Sequence, residues 1–135
     1  MTYEEKKEWL GRYREAEKKY NRLSERLAEA QTATRRITQN ISAVPGGAGD
    51  GQNLARAVER EEEAERKAYA QRAICDTLFE EIDEALEQLE DYRDYCVLRE
   101  YYLNLQTWEQ IAARMNISPR WLHHLRAHAI EQLNI

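Results

Sequence analysis

The sequence has few of the residues that interrupt helices, and few that build disulfide-stabilised folds. Its 135 residues include only two prolines, five glycines, two cysteines and one phenylalanine. No apolar run approaches the roughly 18 residues that a membrane-spanning helix needs, and the N-terminus lacks the apolar stretch of a signal peptide. We therefore expect a cytoplasmic protein that does not contact a membrane.

The cysteines and histidines do not form a recognisable chemical site. Cys75 and Cys96 have neither CxxC nor zinc-ligand spacing, so we expect two reduced thiols, with a disulfide between them as the less favoured alternative. His124 and His128 have the i, i+4 spacing of a helical zinc pair, but no nearby Cys or Glu completes a ligand set. The sequence therefore predicts no metal and no other cofactor. Because no nucleophile-base or paired-acid arrangement has supporting context, it also predicts no enzyme activity.

Charged residues, in contrast, are abundant and unevenly distributed. They make up 33% of the chain, whose net charge is −5, and a composition rich in Glu, Arg, Ala and Leu is typical of helices. A negative net charge disfavours nucleic-acid binding. The segment from Cys96 onward, however, carries +1, and the rest of the chain carries −6. Three histidines in that segment can add positive charge beside phosphate.

The first half of the chain has the pattern of a long helix. Thr2 and Glu5 have capping-box spacing, so the helix should begin at Thr2. An apolar seam with alternating steps of three and four residues follows, and a sustained 3.5-residue period is typical of coiled coils. The predicted helix runs to about Ile41, a length of about 60 Å at ~1.5 Å per residue. The seam consists of Tyr13, Ala16, Tyr20, Leu23, Leu27, Ala30, Thr34, Ile37, Ile41 and Val44.

A glycine-rich stretch at residues 45–52 separates this helix from a second one. Pro45 and the glycines end the first helix. No Gly-Lys-Ser/Thr follows, so a turn is favoured over a phosphate-binding loop. The second helix is predicted from Asn53 to Leu89, with the seam Leu54, Val58, Glu61, Glu65, Ala68, Arg72, Cys75, Phe79, Ile82, Leu86 and Leu89.

Two matched seams joined by a short turn predict an antiparallel helical hairpin over residues 1–90. This helical arm is also a candidate surface for homo-oligomer formation. The side chains expected to be buried between its helices are Leu23, Leu27, Ile37, Phe79, Ile82 and Leu86.

Residues 91–135 have the pattern of three shorter helices. The first is predicted from about Tyr92 to Leu103. Thr107, which has capping-box spacing with Gln110, begins the second. After the turn Asn116-Ile117-Ser118, Ser118 is a suitable N-cap and Pro119 suits the first helical position of the third helix. A short helix, a three-residue turn and a longer helix have helix-turn-helix geometry.

The last helix has an apolar face and a polar face. Leu122, Leu125, Ala129 and Leu133 share the side expected to face the core. The opposite face carries Arg120, His123, His124 and Ala127. Short or hydrogen-bonding side chains at such positions reach base edges in the major groove. Arg99, Arg114 and Arg126 are expected to contact phosphates. The candidate DNA-binding residues are Thr107, Ser118, Arg120, Trp121, His123, His124, Arg126, Ala127 and His128.

The stretch from Tyr102 to Ser118, followed by Leu122 and Ala129-Ile-Glu-Gln-Leu133, resembles region 4 of sigma-70-type factors. That region has a pattern close to Gly-Leu-Ser-Trp-Glu-Glu-Ile-Ala, Gly-Ile-Ser and Arg-Ala-Leu. Over nearly its full length the chain resembles small phage and prophage regulators of the RinA/ArpU type. Trp121 and His128 stand where the family commonly has a polar residue and Arg.

The resemblance implies an all-α protein, a helical hairpin followed by a helix-turn-helix domain, in the cytoplasm of a bacterial host. It implies a regulator that binds double-stranded DNA at a promoter together with host RNA polymerase. Two alternatives use the same helices: a small-terminase-like role in DNA packaging, and a protein-binding assembly factor that does not contact DNA.

Overall fold

The computed structural model describes residues 1–43 and 50–135, and all regular secondary structure in these residues is helical. The predicted all-α class is therefore confirmed. No helix in the described ranges combines the length and the apolarity that crossing a membrane requires. The helices are α1 (Tyr3–Leu10), α2 (Arg12–Ala43), α3 (Asp50–Glu87), α4 (Tyr92–Tyr102), α5 (Trp108–Met115) and α6 (Pro119–Gln132).

Helices α1 and α2 form one bent helix. Thr2 is its N-cap, as predicted, and the hydroxyl of Thr2 accepts a hydrogen bond from the Glu5 amide at 3.2 Å. At Gly11 the regular helix is interrupted, but the hydrogen bonds from Gly11 N to Lys7 O and from Glu15 N to Gly11 O bridge the interruption. A glycine inside a helix is a common cause of such bends.

The predicted turn at residues 45–52 is partly wrong. Residues 50–52 belong to the first turn of α3, three residues before the predicted start at Asn53. The remaining positions of that turn, 45–49, lie outside the described residues. At its other end α3 stops at Glu87, two residues before the predicted Leu89.

The described residues form two compact units. The terminal unit comprises Met1–Ala16 and Cys75–Ile135, and the central unit comprises Glu17–Ile74. The terminal unit thus combines the predicted helix-turn-helix segment with residues from both predicted hairpin helices. This contribution of the first sixteen residues was not part of the sequence prediction.

In the central unit, α2 and α3 pack against each other, and each helix contributes one row of less exposed side chains to the contact. Leu23, Leu27 and Ile37 are half-buried, so the prediction that they are buried was wrong in degree. Two helices shield only one side of each other's apolar face, and a complete burial needs further elements. The α2 seam predicted from the 3.5-residue period is nevertheless its less exposed side.

On α3 the predicted set of seam residues was partly wrong, because at some positions the neighbouring residue is the buried one. Val58 is 36% exposed, while its neighbour Ala57 is buried. Similarly, Gln71 is buried, whereas Arg72 is half-buried and forms an ion pair with Glu17. The seam therefore passes through the smaller Ala57 and the neutral Gln71 in place of Val58 and Arg72, whereas Glu61 remains on it as a half-buried residue.

The terminal unit contains the hydrophobic core. Helix α6 packs against α1, α4 and α5. Ile82 and Leu86 are fully buried, as predicted, whereas Phe79 is half-buried with its ring 5.3 Å from that of Tyr13. The fully buried large apolar side chains are Leu10, Ile82, Leu86, Val97, Leu98, Ile111, Leu122 and Ile130.

Two cations from the first sixteen residues cap the C-termini of later helices. The Nζ atom of Lys6 donates to the carbonyl oxygens of Leu133 at 2.7 Å and of Glu131 at 3.3 Å, at the end of α6. Arg14 donates to the Tyr101 carbonyl at 2.8 Å, at the end of α4. Positive charges at helix C-termini satisfy unpaired carbonyls and interact favourably with the helix dipole.

We expect Leu10→Ala to destabilise the protein by about 2–5 kcal/mol, the range for deleting a fully buried leucine side chain. Leu10 is 0% exposed and belongs to the core that contains α4 and α6. Leu27→Ala, at a half-buried position of the central unit, is the control and should cost less. Urea denaturation followed by circular dichroism measures both. Equal losses would mean that residues 1–16 do not contribute to the core.

Candidate nucleic-acid interface

Local hydrogen bonds determine how α5 connects to α6. The predicted capping box at Thr107 and Gln110 is confirmed, with both reciprocal bonds present. Asn116 ends α5 in the left-handed region, with φ 55° and ψ 47°. The Ile117 and Asn116 amides donate to the carbonyls of Ala112 and Ala113, which is the bonding pattern of a Schellman motif.

Ser118 begins α6 as predicted, since its hydroxyl accepts from the Trp121 amide at 3.1 Å, with Pro119 in the first helical turn. The side chains of α6 then divide between core and solvent. Leu122 and Leu125 are buried, as are Ala129 and Leu133, so the predicted core side is confirmed.

An exposed face remains on the first turns of α6. Arg120, His123 and His124 are exposed, and Trp121 is 48% exposed. The rings of Trp121 and His124 lie 6.3 Å apart. We call these four residues the exposed α6 face. Within residues 1–43 and 50–135, Arg120 forms no ion pair, so its guanidinium is available to an external acceptor.

Arg126 does not belong to this face. It is half-buried, with its guanidinium 4.6 Å from the centre of the Trp108 ring. Trp108 stacks on Tyr101 with ring centres 3.8 Å apart, and Arg14 covers Tyr101 at 4.3 Å. Two arginines and two stacked rings thus form an aromatic–arginine cluster that joins α4, α5 and α6 to α2. Cation–π contacts of this kind stabilise packing.

His128 is tied to α4 by its ring. The Nδ1 atom lies 3.0 Å from the carboxylate of Asp94, which is 2% exposed. A buried carboxylate is costly without a partner, and His128 supplies one. The neighbouring Ala127 is half-buried.

The other basic residues of the segment are also engaged within the protein. Arg99 pairs with Asp83, and Arg114 pairs with Glu100 at 2.8 Å. Thr107 and Ser118 are exposed, but their hydroxyl oxygens already accept backbone hydrogen bonds at the helix starts. The structure therefore brings together Arg120, Trp121, His123 and His124, and it directs Arg126 and His128 to internal partners.

Two further features of the site lie at the end of α4 and in the loop that follows it. Leu105, in the loop between α4 and α5, has a φ of 57°. Tyr102 is 3% exposed; burial raises the pKa of its hydroxyl above the ordinary value of 10.0, and the neighbouring Arg126 guanidinium acts in the opposite direction. The leucine at position 105 does not itself indicate a positive φ, because leucine rarely adopts this conformation.

The remaining candidate chemistry is sparse. Cys75 is buried, Cys96 is half-buried, and no disulfide joins them. Across the two described ranges, no three His, Cys, Asp or Glu side chains are grouped so that they could hold a metal ion.

Comparison with known proteins returns no match to this chain, either among protein-family models, among curated proteins or among solved structures.

We expect Arg126→Ala to lower stability, because it removes the cation from above Trp108 and part of the packing around Tyr101. A loss of about 0.5–2 kcal/mol is typical of a partly desolvated cation–π contact. Arg120→Ala, on the exposed face, should leave the melting temperature unchanged. Thermal melts of both variants provide the comparison, and identical melting temperatures would show that the cluster does not stabilise the fold.

The raised pKa of Tyr102 predicts a loss of stability in alkali. A folded-state pKa above the unfolded value means that the stabilisation is complete below pH 10.0 and is lost as pH rises through the folded-state pKa. Stability should therefore fall more steeply above pH 10 in the wild type than in Tyr102→Phe. Tyr69→Phe, at an 80% exposed position, is the control. Denaturation at a series of pH values measures this, and parallel curves for wild type and Tyr102→Phe would contradict it.

Proposed function

We propose that residues 91–135 act as a helix-turn-helix domain that binds double-stranded DNA, with α6 as the recognition helix. The observation that carries the proposal is the connection of α5 to α6. A short capped helix, a tight turn with a half-buried Ile117 and a longer helix that begins at Ser118 with an exposed polar face fit this class of domain.

The backbone at two positions supports the resemblance to sigma-70 region 4. Leu105 and Asn116 stand where the resembled patterns have glycine. Among the described residues they are also the two non-glycine residues with positive φ, at 57° and 55°. Glycine is the residue that adopts this conformation without steric cost. The chain thus keeps the left-handed backbone at both positions although the glycines are replaced.

The exposed α6 face has the chemistry of a DNA-reading surface. Arg120 lies at the second position of the helix, and arginine donates two parallel hydrogen bonds to guanine O6 and N7 in the major groove. His123 and His124 lie one turn further on, where they can donate to bases or phosphates. Trp121 offers an apolar edge of the kind that contacts a thymine methyl group.

The electrostatics favour modest affinity for DNA alone. Arg99, Arg114 and Arg126 already contact groups within the protein, so few cations remain to release counterions from phosphates. The salt dependence of binding scales with the number of phosphates that are neutralised. We expect the protein to bind its promoter with host RNA polymerase, in the bacterial cytoplasm and in a phage or prophage setting, and to act there as a transcription regulator.

The test begins with selection of preferred sequences from a randomised duplex library. Arg120→Ala should weaken binding to the selected duplex by about 1–3 kcal/mol and relax preference at one base pair. Arg35→Ala, on α2, is the matched control and should bind as the wild type does. Fluorescence anisotropy at several salt concentrations should give a log–log slope of magnitude below about 4.

Two results would direct the proposal elsewhere. Absence of any duplex binding, with and without added RNA polymerase holoenzyme, would contradict DNA recognition and favour a protein-binding assembly factor. Occupancy at a packaging site and not at a promoter, measured by chromatin immunoprecipitation, would favour the DNA-packaging role.

A further inference from the structure

A groove lies between α2 and α3 in the central unit. Its cavity volume is about 580 Å³. Its apolar lining includes Ala30, Ile37 and Ala57. A smaller adjoining cavity of about 120 Å³ shares Arg26 and Arg60 with it and extends it to Leu23. The two cavities follow the same side of the helix pair.

Three arginines border this groove: Arg26, Arg56 and Arg60. In the part of the chain that the structure describes, none of the three forms an ion pair. Glu29 is the acidic side chain in the lining of the larger cavity. In the smaller cavity Glu63 forms an ion pair with Lys67. The lining of the two cavities together therefore carries four basic and two acidic side chains, a net charge of +2.

The packing of the central unit leaves room for a third helix. Its α2 seam residues Leu23, Leu27 and Ile37 stay half-buried. Among the described side chains of the central unit, those that are buried are Ala57, Ala68 and Gln71. Small side chains at positions 30, 33 and 57 permit the interaxial distance of about 8–10 Å at which helices pack. From Leu23 to Asn40 the groove follows α2 for about 25 Å at ~1.5 Å per residue, which corresponds to a helix of four to five turns.

From this groove we infer that the central unit docks an acidic amphipathic helix of a protein partner. Apolar side chains of that helix would cover Ile37 and the alanines, and acidic side chains on its flanks would pair with Arg26, Arg56 and Arg60. A docked helix would complete a three-helix bundle, in which the α2 seam is buried. A second copy of this chain would bring to the groove the exposed α3 face that carries Tyr69, together with Glu62, Glu65 and Arg66. These two faces point in opposite directions on α3, so such contacts would not close into a dimer.

The test uses the full chain and two fluorescent helical peptides of about 18 residues, the length of the groove at ~1.5 Å per residue. Both carry leucine at steps of three and four residues. One has glutamate and the other lysine at the flanking positions. We expect the acidic peptide to bind saturably, at least about tenfold tighter than the basic one, a ratio large enough to report charge recognition.

Variants then locate the binding site. Arg26→Glu/Arg60→Glu should weaken binding of the acidic peptide by about tenfold or more. Arg35→Glu/Arg66→Glu makes the same charge change at exposed positions outside the groove lining and is the matched control. Ala33→Trp fills the groove without changing charge and should also abolish binding. Circular dichroism verifies that each variant is folded.

Three outcomes would overturn the inference. These are equal binding of the acidic and basic peptides, wild-type binding by both groove variants, and equal loss of binding in the control. Loss of duplex DNA binding by Arg26→Glu/Arg60→Glu with unchanged peptide binding would assign the groove to nucleic acid instead. The three peptide outcomes do not bear on the exposed α6 face, which is tested separately through Arg120.

Discussion

The terminal unit depends on the attachment of the first sixteen residues to the last three helices. Residues 91–135 are only about 45 in number, a size at which one hydrophobic core is marginal. Leu10, together with Ile82 and Leu86 from α3, enlarges that core. Lys6 and Arg14 then satisfy the C-terminal carbonyls of α6 and α4. The proposed recognition helix is therefore held at its C-terminal end by a residue near the start of the chain, and its exposed N-terminal turns are free to meet a ligand.

Local signals in the sequence were sufficient to place the helices, but they did not predict which helices pack against one another. The caps at Thr107 and Ser118 were predictable because capping uses residues within three positions of one another. The register of α3 was not, because Ala57 and Val58 both continue a spacing of three and four residues, and only the position of α2 decides between them. Apolarity favoured Val58, but packing of two closely spaced helices favours the smaller alanine.

The candidate site was predictable to a similar extent. Helical periodicity correctly separated Arg120 and His123 from Leu122 and Leu125. It could not reveal that Arg126 lies over Trp108 or that His128 contacts Asp94, since both contacts join residues from different helices. A basic residue near α6 can either contact a group within the protein or contact a ligand, and the sequence alone does not distinguish these two roles. In this protein most of the cations near α6 are used in the fold, and those that border the groove of the central unit are not.

The contact between Lys6 and the end of α6 also constrains how the protein is made. The two residues that meet, Lys6 and Leu133, are 127 positions apart. At ~5–20 residues per second of synthesis, the ribosome needs on the order of 6–25 s to add the second after the first. During that interval the core around Leu10 is incomplete, so the apolar side chains of α1 stay without their partners from α6. Long sequence separation slows folding, because the chain loses conformational entropy on closing the loop before the long-range contacts stabilise it. Assembly of the terminal unit therefore has to wait for the synthesis of α6.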